Sequence, residues 1–257
     1  MCRKSLLVVL VLGLLSVSAY AGTVLHYDFS DGTGTTATDL SGSGNDGTLV
    51  GFADTSADAG SFGASEGWVT GGGLSFLDDD AVSYVETPLN LSALPGDFTL
   101  EFQANYAGSE SWTPAIGSNA GGCCAEAIFF GIHQNLENVE VRLQDSGGPI
   151  GPHPWTAPDE TLHHVVMVFD SATNDVEVFA DGTSIGTANR PAANMVGVTS
   201  QFRIANTGWA PSEQWGGVLY SVAISDTKLA PGSFVIPEPT TIALLGLGGL
   251  ALLRRRR

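Results

Sequence analysis

The chain has 257 residues and a formal net charge of −17, with 10 Lys and Arg against 27 Asp and Glu. A surface that acidic repels phosphate backbones and excludes nucleic acid as a partner. Three cysteines in 257 residues exclude a multi-disulfide scaffold and a four-cysteine zinc site, so the apolar core must hold the fold.

The N-terminus reads as an export signal. Arg3 and Lys4 precede an apolar stretch at 6–15, and Ala19-Tyr20-Ala21 supplies small residues for a signal-peptidase cut after Ala21. The apolar run is shorter than the ~20 residues of a spanning helix. Cys2 precedes the apolar region and is not an acylation site of the lipoprotein kind.

Residues 22–234 follow, the length of one all-β domain. Only Arg142, Arg190, Arg203 and Lys228 are basic there, against 26 acids, a net of −22. No segment keeps a 3.6-residue apolar period. Short alternating runs bounded by Gly, Asp, Asn and Ser recur instead. The first predicted strand is 24–29. Asp28, Asp31, Asp39, Asn45 and Asp46 follow as an oxygen-rich cluster. Calcium ligation by Asp28, Asp39 and Asn45 and plain Asx-turn chemistry are both open readings. The Gly- and Ser-rich stretch 60–73 reads as a long surface loop in which Trp68 is pinned. Asp78-Asp79-Asp80 reads as a solvated turn.

Phe98, Leu100 and Phe102 alternate with Thr99, Glu101 and Gln103. Val139, Val141 and Leu143 alternate with Glu140, Arg142 and Gln144. Both patterns predict strands with one face on the core and one in water. Cys123 and Cys124 are adjacent, and a vicinal disulfide or a cross-link to another chain would suit an oxidising exterior. A more apolar run at 162–169 predicts a central strand. Runs at 176–180 and 183–188 flank Asp181-Gly182, a hairpin turn in which both residues tolerate positive φ. Strands at 202–205 and 218–224 complete the series. The sum is an all-β, two-sheet antiparallel sandwich of jelly-roll type.

Three tryptophans fall on Gly-, Pro- and Ser-rich connections: Trp112 in Ser111-Trp112-Thr113-Pro114, Trp155 in His153-Pro154-Trp155-Thr156, and Trp209 in Gly208-Trp209-Ala210-Pro211. Loop indoles can stack on sugar rings or fold back as lids over the core. Against catalysis, no Gly-x-Ser-x-Gly or His-Glu-x-x-His motif is present. The nearest carboxylate pair, Glu137 and Glu140, has a spacing of three, which puts the two on opposite faces of a strand. His163 and His164 fall inside a strand and point to opposite sides.

The tail, 235–257, reads as a processing signal: Pro237-Glu238-Pro239, an apolar run at 240–253, then four arginines. The apolar run is 14 residues, enough for temporary anchorage with the arginines kept cytoplasmic. A permanent single-span anchor is the other reading.

Two resemblances follow from these residues. The tail resembles the PEP-CTERM sorting signal of Gram-negative bacteria. That implies cutting by an exosortase-type enzyme near Pro237-Glu238-Pro239, transient inner-membrane anchorage through the C-terminal helix, and delivery to the cell surface or extracellular matrix.

The body resembles the LamG-like jelly roll of the concanavalin A-like lectin/glucanase superfamily. The resemblance is carried by five segments in order. They are His26-Tyr27-Asp28-Phe29 with the 39–49 loop, Leu74-Ser75-Phe76 with Tyr84-Val85, the strand 97–102, His163-His164-Val165-Val166 running on to Asp181-Gly182, and the closing strand 217–224 with Leu229. Relatives carry acids where this chain has Tyr220 and Ser221, which removes a ligand from any calcium site of the family's kind. Glucanases of the superfamily carry a Glu-x-Asp-x-Glu run that this chain lacks. The expectation is therefore an exported, surface-sorted, non-catalytic domain that binds extracellular polysaccharide or another surface component. A structural matrix or biofilm protein and a glycan-active enzyme with an unorthodox site are the alternatives. The expected partners are signal peptidase, an exosortase-type enzyme and extracellular polysaccharide.

Overall fold

A computed structural model describes residues 22–52, 65–77, 82–107, 112–120, 128–133, 138–144, 146–155, 159–191, 195, 197–209 and 213–237. The signal peptide, Asp78-Asp79-Asp80, Cys123, Cys124, Glu137, Glu238, Pro239 and the apolar tail lie outside the described residues. Among the described residues no helix is long and apolar enough to cross a membrane.

Among the described residues, sixteen strands form two sheets. The first contains β1 (Thr23–Tyr27), β4 (Gly67–Trp68), β5 (Leu74–Phe76), β7 (Phe98–Tyr106), β12 (Asp159–Asp170), β13 (Asp175–Ala180), β14 (Thr183–Asn189) and β16 (Gly217–Ser225). Its order is β14-β13-β12-β7-β16-β5-β4, with β1 also pairing β16. The second contains β2 (Thr36–Ala37), β3 (Gly47–Val50), β6 (Tyr84–Asn90), β8 (Thr113–Ser118), β9 (Ile128–His133), β10 (Asn138–Leu143), β11 (Ser146–Pro152) and β15 (Gln201–Ile204). Its order is β11-β10-β9-β8-β15-β6-β3-β2.

The first and last strands are neighbours, with His26 opposite Ala223. The β13–β14 turn is the predicted hairpin, with Asp181 at φ 48° and Gly182 at φ 76°. That is the conformation whose twist matches the flanking strands.

One continuous core fills the space between the sheets. Leu25 and Tyr27, Leu100 and Phe102, and Val165 and Met167 enter it from the first sheet. Phe130 and Ile132, Val139 and Val141, and Phe202 and Ile204 enter from the second. These are the period-two positions of each strand, as the pleat requires. Trp68 is fully buried and its Nε1 donates to Gly34 O at 2.8 Å, so the 60–73 stretch carries β4 rather than being loop throughout.

The expectation that β7 has one face in water fails. All nine of its residues are buried. Thr99, Glu101, Gln103 and Asn105 point away from the core but lie under other parts of the chain. Thr99 Oγ1 donates to Thr227 O at 2.9 Å, and Gln103 Nε2 donates to Pro237 O at 3.3 Å. Phe234 packs with Val166, Val168 and Phe179, and Val235 and Ile236 pack with Ala223. The C-terminal strap, residues 228–237, covers the outer face of the first sheet. A long-range covering segment of this kind leaves no trace in the alternation of the strand it covers.

Candidate functional site

The outer face of the second sheet holds the candidate site. Strand register lines up Glu86 on β6, Arg203 on β15, Gly117 on β8, Phe129 on β9 and Arg142 on β10 as one cross-strand row. The next row places Glu140 opposite Gly131. Gly117 is the bare point in the first row. A Cβ there would lie 2.2 Å from Asn206 O, so only glycine lets the loop between β15 and β16 cross the sheet. Gly208 has the same role one step on, where a Cβ would meet Asn119 backbone at 2.6 Å. The crossing loop delivers Trp209 and Glu213 to the face.

Trp112, Phe129, Arg142, Trp209 and Glu213 line a cleft of about 210 Å³. Trp112 and Trp209 are both half-buried. The Arg142 guanidinium carbon lies 4.4 Å from the Trp112 ring centroid. His133 meets Trp112 edge-on, with centroids 3.9 Å apart, and Phe129 does so at 6.0 Å. Arg142 Nε donates to Glu140 Oε1 at 3.1 Å. Thr207 Oγ1 donates to Glu213 Oε2 at 3.4 Å, and the Trp209 side chain bonds the same carboxyl.

Burial dominates the electrostatics. It pushes the Glu213 carboxyl up, against the pull of Thr207, Arg142 and Trp209. It pushes Glu140 up as well, against the charges of Arg142 and Arg190. The His133 imidazole is pushed down by burial and by Arg142. Among the described residues, His133 Nδ1 and Glu140 Oε2 have no hydrogen-bond partner. Buried polar atoms in that state are expensive and suit a site that takes a polar ligand.

The tryptophans predicted from sequence divide. Trp112 and Trp209 converge on the cleft. Trp155 does not: its indole is part of the core rather than a sugar platform. It is 3% exposed, stacked parallel to Phe102 at 6.2 Å, edge-on to Trp215 at 5.8 Å, and its Nε1 donates to Thr161 O at 3.2 Å. Its flanking Pro and His read as a loop, but the indole drops into the core.

The N-terminal cluster is built as a turn. Asp39 accepts from the backbone N–H of His26 (2.9 Å), Ser41 (3.0 Å) and Asn45 (2.9 Å) and from Ser41 Oγ (2.8 Å). Burial opposes its charge, but those four donors outweigh burial and hold the carboxyl below its ordinary value. Asn45 Nδ2 donates to Val24 O at 2.7 Å, and Asp28 Oδ1 accepts from Ser30 N at 3.0 Å. Asp39, the central oxygen donor, is therefore committed to the chain. Among the described residues no three His, Cys, Asp or Glu are placed to share a metal ion. These residues do not fit a calcium cage as they stand.

His163 and His164 both have partners. His163 Nδ1 is 2.6 Å from Asp181 Oδ2, and His164 Nε2 is 3.2 Å from Glu101 Oε2. Neither reaches the cleft. The residues missed in the sequence are Phe129, His133, Arg142 and Glu213. Arg142 had a usable signal: an arginine on the polar face of a strand stands out in a body with four basic residues.

Residues 79–233 match the Concanavalin A-like lectin/glucanases superfamily as its Laminin_G_3 family. The chain belongs to that family. Residues 235–257 match the PEP-CTERM protein-sorting motif, which implies export, surface sorting and processing by an exosortase. No curated protein matches the chain.

Among solved structures, the chain is similar to domain 4 of AbnA, an extracellular GH43 arabinanase from Geobacillus stearothermophilus, in complex with arabinotriose. Identity is 14% and the TM-score 0.59, covering 82% of this chain and 95% of that one. It is similar to Trypanosoma rangeli sialidase at 16% identity and TM-score 0.57, covering 83% of this chain and 32% of that one. It is also similar to the binding domain of Botulinum Neurotoxin DC in complex with SialylT, at 12% identity and TM-score 0.54, covering 84% and 50%. The chain thus spans about a third of the sialidase chain and half of the neurotoxin binding-domain chain. The shared property is the fold, and superfamily members under this name include both lectins and glucanases.

Proposed function

We propose that this Laminin_G_3 chain is an exported, surface-sorted, non-catalytic binding domain. It recognises extracellular polysaccharide at the outer surface of a Gram-negative bacterium. The observation that carries the reading is the convergence of Trp112 and Trp209, from distant parts of the chain, on one opening with Arg142 and Glu213. Indole faces suit the C–H faces of a sugar ring, while a guanidinium and a carboxylate suit its hydroxyls as donor and acceptor. A cleft of about 210 Å³ is smaller than the ~300–1,000 Å³ of drug-sized pockets and suits one ring of a longer chain. The likeness to the arabinanase domain complexed with arabinotriose adds support.

Polysaccharide pull-down with the full chain in detergent micelles tests the reading, using neutral and uronic-acid polymers. Retention that Trp209→Ala abolishes supports it. Retention on no polymer moves the protein to the role of a structural matrix component.

A second reading is favoured by one observation. Burial raises both Glu140 and Glu213 on this face, and raised carboxyls are what a general acid requires. Sugar release from a bound polymer, abolished by Glu213→Gln, would establish a glycan-active enzyme instead.

A further inference from the structure

The sorting motif has its first residues built into the domain. Its match begins at residue 235, and residues 235–237 are part of the folded body. Glu101, fully buried on β7, accepts from Val235 N at 2.9 Å and Ile236 N at 3.1 Å. His164 Nε2 braces the same carboxylate at 3.2 Å. Phe234 lies against Phe179, with centroids 5.5 Å apart, and both Val235 and Ile236 are buried. Gln103 Nε2 holds Pro237 O at 3.3 Å. Among the described residues, the clamp thus takes both the backbone and the apolar side chains, and it reaches Pro237, the first proline of the motif.

A processing enzyme needs residues around its cut in an extended, accessible form. Here the N–H groups and apolar side chains just before the motif are already spent on the first sheet. We infer that Glu101 is a positioning residue for the sorting cut: it holds residues 235–237 on the domain, and this strap must lift off before the processing enzyme engages the motif. The inference rests on the exosortase processing that the motif implies and is independent of glycan binding.

Two measurements on the full chain test it. In detergent micelles, hydrogen exchange of the Val235 and Ile236 amides is expected to rise at least about tenfold in Glu101→Ala, the scale of a lost charge-assisted hydrogen bond. Amides of β7 and β12 should hold their protection. In a host carrying an exosortase, the tail-bearing precursor of Glu101→Ala should disappear several-fold faster, on the order of the same change. Glu101→Gln, which keeps one acceptor, should fall between.

If Glu101→Ala fails to fold, Gln103→Ala and Ile236→Ser carry the test in the same direction. Faster exchange with an unchanged or slower cut overturns the inference, as does unchanged exchange. A wild-type precursor that is never cut would overturn the processing reading itself.

Discussion

The guanidinium of Arg142 lies over the indole of Trp112, 4.4 Å from the ring centroid, while its Nε holds Glu140. One arginine thus fixes an aromatic wall and neutralises a buried carboxylate. A lysine has the charge but neither the flat fork nor the stacking surface. Arg142→Lys should therefore weaken polysaccharide retention while leaving net charge unchanged. Equal retention by the lysine variant would show that the stacked geometry is unimportant.

Trp209→Ala should cost about 1–3 kcal/mol of polysaccharide binding, the scale of an aromatic anchor, with little change in melting temperature. Trp112→Ala should lose binding and some stability together, since Trp112 also packs His133 and Phe129. Calorimetric titration and thermal melts separate the two patterns.

Trp155→Ala should behave as a core truncation and destabilise by about 3–5 kcal/mol. Denaturant unfolding measures it. A small effect would mean that the Phe102–Trp155–Trp215 packing is dispensable.

Glu213 gives a pH signature. Its folded carboxyl is raised, so the fold favours the protonated form. Stability linked to this group is fully present below the ordinary glutamate range, about 4.3. It falls as pH rises through the raised value. Glu213→Gln should therefore melt higher than wild type at pH 7 and equal to it at pH 4. The same difference at both pH values would sink the assignment.

Asp39 has the opposite sign. Its folded carboxyl is depressed, so its contribution is present above the ordinary aspartate range, about 3.9, and is lost as pH falls through the depressed value. Asp39→Asn should destabilise strongly at pH 7 and much less at pH 2–3, on the order of the lost charge-assisted bonds. Because donors from the chain already fill this carboxylate, melts in calcium and in chelator should coincide. A calcium-dependent rise that Asp39→Asn abolishes would restore the metal reading.

The sequence alone determined the architecture, because that information is local. Period-two alternation at 98–103 and 139–144 specified strands, and Asp181-Gly182 specified a hairpin. The Pro-Glu-Pro, apolar and arginine order is a linear signal that processing reads as such. Trp112 and Trp209 were legible as candidates because their Gly and Pro neighbours mark connections.

Tertiary structure alone decided what each face meets. Trp155 sits in the same kind of sequence as the other two, yet it is core, because Phe102 and Trp215 leave a space for it between the sheets. Glu101 reads as a water-facing strand residue, yet it is buried, because a segment 134 positions away returns to cover it. Arg142, Phe129 and Glu213 become one cleft only through strand register and a loop that crosses at Gly117. Burial of a strand's second face depends on contacts distant in sequence, and alternation along one strand carries no record of them.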